Sequence, residues 1–306
     1  MIVELPDTST REVNRTLVRI REEGGAVALG RVLNLVIDAD GGDPEEAIAA
    51  ANDASREHPC RVIVLARNSR RRTARLDAEI RVGGDAGASE VIVFRPSGPL
   101  ADHGDTLVIP LLLSDAPIVS WWPYALPKDP AHNGIGAMSA RRITDTIHCR
   151  RPAVALNTLR ASHTPGDTDL AWTRLTLWRG LLAASLDQPP YEPVRSITVT
   201  GERTHPSLNL LAGWLALTLK APVRVIREVG VEGITEVRLE RASGPIVLSR
   251  PDGKRATFMQ PGQPPRTFAM PLRLLRECLS EELRRLDADE VYGEVLTKGL
   301  ALIDQG

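Results

Sequence analysis

The stretch Arg61–Ala66, RVIVLA, is a short apolar run with no room for a polar face, so it reads as a strand covered on both sides. It sits in a repeating rhythm. Residues 8–23 read as a helix, with Thr8 and Ser9 as caps, Glu12 three positions after Ser9, and Val13, Leu17 and Ile20 in one stripe. Gly24-Gly25 would end it. A strand is expected over 26–37, then a turn, then an alanine-rich helix opened by Pro44. Strands follow at about 76–82 and 90–94. Alternating strand and helix of this kind predicts an α/β layer. Residues 105–124 are the most apolar part of the chain, but Pro110 and Pro117 divide them into short pieces. A strand over 143–149 and a short helix over 152–160 complete the first half.

The polar, Gly/Pro-containing segment SHTPGDTD at 162–169 reads as a joint, which predicts domains 1–162 and 163–306. Beyond it a helix over 169–186, a strand at 194–200, a helix from Pro206 to near Lys220 and a strand at 223–229 are expected. Short strands at about 234–241, 245–250 and 255–260 form an antiparallel meander, and helices over 271–286 and 289–303 close the chain. The fold class is α/β: two domains, each a layered mixed sheet with packed helices.

DLAWTRLTLWRG at 169–180 concentrates two of the chain's five tryptophans and two arginines. At about 100° per residue, Leu170, Leu177 and Leu181 share one side while Trp172, Leu175, Trp178, Leu182 and Leu186 spread over the other. Such a helix is apolar on two faces and must be covered twice. Either both tryptophans are core, with Arg174 and Arg179 paired to carboxylates such as Asp167 or Asp169, or part of the cluster is a recognition surface, where Trp and Arg are enriched. The division expected is Trp178 in the core, with Trp172 and Arg179 near a surface. Trp121-Trp122 adds a second candidate, because adjacent rings in an extended segment point to opposite faces and one would face outward unless covered.

Signatures of catalysis are missing. There is no GxGxxG after a strand, since GGDAG at 83–87 precedes one, and no GxxxxGK[ST], GxSxG or HExxH. No nucleotide cofactor, catalytic group or metal is expected. Asp38, Asp40, Asp43, Glu45 and Glu46 crowd one turn, but carboxylates at a helix start follow from the helix dipole. Arg67, Arg70, Arg71, Arg72 and Arg75 follow the strand ending at Ala66, where open α/β sheets bind ligands. They read as a solvated loop, as an acidic-partner contact, or as an anion site for a sugar phosphate or nucleotide. Net charge −1 argues against nucleic acid. Of 38 basic residues only Lys128, Lys220, Lys254 and Lys298 are lysine, a skew that fits a GC-rich genome. No apolar run nears the roughly 18–20 residues of a membrane span. The start MIVELPDTST lacks a signal core, and Cys60, Cys149 and Cys278 read as reduced thiols, so a cytoplasmic protein with no membrane partner is expected.

DLAWTRLTLWR, with HPCRVIVL at 58–65, LLLSDAPIVSWWP at 111–123 and LPDTST…EVN at 5–14, resembles the glucose-6-phosphate dehydrogenase assembly protein family (OpcA-like) of actinobacteria and cyanobacteria. The resemblance spans nearly the whole chain, and the scarcity of lysine suits an actinobacterial relative. It implies a non-catalytic allosteric activator that binds glucose-6-phosphate dehydrogenase and promotes its active oligomer in the oxidative pentose phosphate pathway. The candidate partner-binding residues are Trp121, Trp122, Trp172, Arg174, Arg179, Arg67, Arg70, Arg71 and Arg72. The cyanobacterial relatives are longer and linked to thioredoxin control, and the three cysteines here match none of theirs. The runner-up is a small-ligand sensor or enzyme using the arginine loop 67–75 as an anion site.

Overall fold

The computed structural model describes residues 1–23, 32–68, 73–83 and 90–303. In chain order these form β1 (Ile2–Leu5), α1 (Thr10–Glu23), β2 (Leu33–Asp38), α2 (Pro44–Ser55), β3 (Cys60–Leu65), β4 (Arg75–Arg81), β5 (Glu90–Ser97), α3 (Gly104–Val108), β6 (Ile118–Trp122), β7 (Arg141–Thr144) and α4 (Pro152–Ser162). Then come β8 (Asp167–Asp169), α5 (Leu170–Thr173), α6 (Thr176–Leu186), β9 (Ser196–Glu202), α7 (Pro206–Leu219), β10 (Val223–Glu228), β11 (Ile234–Glu240), β12 (Ile246–Ser249), β13 (Arg255–Met259) and β14 (Arg266–Ala269). The helices α8 (Leu275–Leu283), α9 (Glu290–Glu294) and α10 (Leu300–Ile303) end the described chain. Contacts divide it into two compact units, Met1–Arg150 with Leu275–Ala288, and Arg151–Leu274 with Asp289–Gly306. By contacts, therefore, α4 groups with the second unit and α8 with the first, whereas the expected boundary at 162/163 assumed two consecutive stretches. No helix among the described residues is long and apolar enough to cross a membrane.

In the first unit the strands lie in the order β1-β4-β5-β3-β2-β6-β7. β5, β3, β2, β6 and β7 are parallel; β4 and β1 pair antiparallel at one edge. Every residue of β2 and β3 is buried, as a parallel sheet covered on both faces requires. Val13, Leu17 and Ile20 of α1 close one side over Val36, Ile63, Ile92, Phe94 and Trp122. On α2, the Asp43 side chain accepts the Glu45 N–H and Pro44 fills the first turn; α8 packs against this helix. The expected strand over 26–37 is realised as β2; residues 24–31 lie outside the described set. The expected strand over 143–149 ends at Thr144. A turn replaces its second half, with the His148 N–H on the Asp145 carbonyl at 3.3 Å and the His148 ring 3.0 Å from the Asp145 carboxylate.

In the second unit the sheet order is β10-β9-β11-β12-β13-β14, with only β9 and β10 parallel. β9 alternates, sending Ile197, Val199 and Gly201 inward under α7. The expected meander is present and gains a fourth strand, β14. The helix expected over 169–186 breaks between α5 and α6. There the Leu175 N–H bonds the Trp172 carbonyl at 2.9 Å, three residues back, while the Thr173 and Thr176 hydroxyls bond backbone carbonyls. The helix expected over 289–303 is interrupted by a π turn at Val295–Gly299.

Candidate functional site

The parallel strands of the first unit, taken in chain order, lie 3-2-1-4-5, the doubly wound arrangement whose crevice opens where strand order reverses, here between β2 and β6. In dinucleotide-binding sheets a glycine turn and a helix N-terminus receive the pyrophosphate at this point. This chain fills the place with its own side chains. Tyr124, just past β6, lies against Gly42, where a Cβ would stand 2.3 Å from the ring. Its hydroxyl donates to the Asp43 carbonyl at 2.7 Å and lies 3.2 Å from Glu46 Oε2. Burial, then the Glu46 carboxylate, push that phenol above its ordinary range. The N-terminus of α2 is occupied by the Asp43 carboxylate, with Glu45 and Glu46 beside it, so an incoming anion meets negative charge.

Arg67 follows β3 and turns inward. Its guanidinium pairs with Asp38 at the end of β2, and Nε donates to the Ala101 carbonyl at 2.7 Å. Burial pushes the Asp38 carboxyl up and Arg67 pulls it part of the way back. Arg67 is therefore an internal strut, which corrects its assignment to a solvated or partner-facing loop; the strand ends of β2 and β3 are held by this pair. Arg75 is taken by Asp77 at 2.8 Å. Arg70, Arg71 and Arg72 lie outside the described residues. The acidic turn has local uses throughout: Glu45 is held by both Nη atoms of Arg81 at 2.7 Å, and Asp40 stands 4.0 Å from Arg67.

Neither tryptophan of the pair Trp121-Trp122 faces outward. Both are buried, at 0% and 1% exposure, because β6 lies inside a sheet covered on both faces. Trp172 is also buried, at 0%, which corrects its expected place near a surface. Its indole N–H donates to Asp289 Oδ2 at 2.8 Å, and Tyr292 lies 6.1 Å away, centroid to centroid. Trp178 is core as expected, with the buried Arg250 guanidinium 5.2 Å above its ring. Leu177, expected on an apolar face, is 44% exposed. Arg174 and Arg179 are half-buried. Arg179 lies over the Trp172 ring at 3.8 Å, so an aromatic face meets it. Asp169 accepts the Ala171 N–H as the cap of α5, and Asp167 accepts the Thr164 N–H, each at 2.8 Å. Sequence reasoning passed over Tyr124, Asp289 and Tyr292. Asp289 stands 117 positions from Trp172, beyond any local pattern.

Residues 51–161 match the family model for the glucose-6-phosphate dehydrogenase subunit N-terminal domain, and residues 165–296 match that for the C-terminal domain. The chain belongs to the OpcA-like glucose-6-phosphate dehydrogenase assembly family. Among solved structures, it is similar to an oxidoreductase from Sinorhizobium meliloti at 10% identity and a TM-score of 0.48, over 89% of this chain and 95% of that one. It is also similar to glucose-6-phosphate 1-dehydrogenase from Mycobacterium avium at 13% identity and a TM-score of 0.45, over 90% and 92% respectively. Comparison with curated proteins returned no match.

Proposed function

We propose that this chain is a non-catalytic assembly factor of the cytoplasm: it binds glucose-6-phosphate dehydrogenase, promotes its active oligomer and activates it allosterically in the oxidative pentose phosphate pathway. The observation that carries the proposal is the pair of family matches, which together run from residue 51 to 296. The strand-order crevice supports it: a dinucleotide there would meet the Tyr124 ring against Gly42 and the Asp43 carboxylate at the end of α2. An activator binds the active form of its target more tightly than the inactive form, and a tenfold bias takes only about 1.4 kcal/mol. The sensor alternative loses two of its arginines, because Arg67 and Arg75 are already paired with Asp38 and Asp77.

Arg70, Arg71 and Arg72, with the half-buried Arg174 and Arg179, are the proposed charged contacts to the dehydrogenase. Sedimentation velocity of the dehydrogenase with and without the chain tests the association. The expected result is a heavier species at low salt that is lost when Arg70, Arg71 and Arg72 are changed together to Glu. The same heavier species with the triple variant removes the loop from the interface; no heavier species with the parent chain overturns the function.

A further inference from the structure

Two of the chain's three phenylalanines stand half-buried on one open groove of the second unit. Phe258 on β13 is paired with Arg266 on β14, and Phe268 with Ala256, so both rings rise from the same face of the hairpin. Leu181 and Ala184 of α6 face them, with Gln188 just beyond the helix. The groove encloses about 230 Å³. Sites for small molecules run from about 300 to 1,000 Å³, so this one suits one or two side chains rather than a cofactor.

The groove borders a sheet edge. β14 is the last strand of its sheet. The Met270 N–H points inward to the Lys254 carbonyl at 2.8 Å. Antiparallel alternation then turns the N–H and C=O groups of Thr267 and Ala269 outward, and both residues are exposed. Pro264, Pro265 and Pro271 bracket the opening to a few residues, which limits open-ended pairing. Charge selects what pairs there. Residues 251–270 carry Lys254, Arg255 and Arg266 against Asp252 alone, in a chain of net charge −1. The Asp252 carboxylate is already bonded by the backbone N–H groups of Lys254 and Arg255 at 2.8 Å each. A second copy of this chain would bring like charges together at the edge; an acidic segment brings opposite ones.

We infer that β14 and the Phe258/Phe268 groove form a strand-addition site. An extended acidic segment of the partner pairs with Thr267 and Ala269 and seats one apolar side chain against Phe258, Phe268 and Leu181. That the partner is the dehydrogenase rests on the function proposed above; the chemistry of the segment does not.

Amide hydrogen exchange on the full chain, alone and with glucose-6-phosphate dehydrogenase, tests the inference. Exchange at Thr267 and Ala269 is expected to slow at least tenfold on addition of the dehydrogenase. Thr267→Pro removes an outward N–H along with an exposed 3.4 Å hydroxyl contact to Thr257, and Ala184→Glu places a carboxylate at the groove's mouth. Each is expected to weaken binding by about 30-fold, the loss typical of an interface hot spot, with an unchanged melting curve. Binding with no protection at these amides and parent-like affinity in both variants overturns the inference and leaves the function standing. Protection that rises with concentration of the chain alone makes a second copy the occupant and overturns the acidic segment. Failure of the parent chain to bind the dehydrogenase overturns the function and the partner assignment together.

Discussion

Trp172 and Trp178 are six residues apart, and each meets an arginine over its ring, but the two pairs hold the unit differently. Trp178 is buried at 2% exposure, and Arg250 above it gives N–H groups to backbone carbonyls such as that of Met270. Trp172 is held by a polar bond to Asp289, and Arg179 covers its face from a half-buried position. Trp178→Ala should therefore cost about 3–5 kcal/mol, as large aromatic truncations in cores do. Arg179→Ala should cost about 1–2 kcal/mol, the worth of a partly desolvated cation over an aromatic face, and leave the protein folded. Urea denaturation of the two variants checks this; equal costs would make the arginine as structural as the tryptophan. The position of Trp172 was not legible from its own helix. The residues that bury it, Asp289 and Tyr292, come from the far end of the chain, and a helical wheel sees only neighbours.

At the scale of elements, most of the first unit could be read locally. RVIVLA had to be a doubly covered strand, Pro44 had to open α2, and Ser9 caps α1 through the Glu12 N–H at 3.3 Å. Failures fall where a third partner bends a local pattern. β14 was missed because RTFA is four residues long behind a proline-rich turn, and its pairing with β13 supplies what its own pattern does not. The break after α5 escaped a wheel that assumes one continuous helix. The π turn at Val295–Gly299 has a tertiary setting: Gly299 abuts Gly213 of α7. A Cβ on Gly299 would lie 2.8 Å from the Gly213 carbonyl oxygen, and one on Gly213 would lie 3.0 Å from the Gly299 carbonyl carbon. Gly213→Ala should then destabilise the protein by about 1–3 kcal/mol despite alanine's better helix propensity, because backbone cannot give way as a side chain would. A raised melting temperature in that variant would contradict the close approach.

For the whole molecule, the α/β rhythm predicted a layered sheet but not its strand order. That order is long-range information, since β6 reaches β2 across α2, β3, β4, β5 and α3. It matters because it places the crevice, and the crevice is where Tyr124, Asp43 and the Asp38–Arg67 pair stand in place of a dinucleotide. On the function proposed above, the chain acts on glucose-6-phosphate dehydrogenase without chemistry of its own. The most direct test of that function is the initial rate of glucose 6-phosphate oxidation at fixed dehydrogenase and rising concentrations of the chain, with a control containing the chain alone. A saturable rise in rate and no turnover in the control are expected. A flat titration, or turnover by the chain alone, would contradict that function.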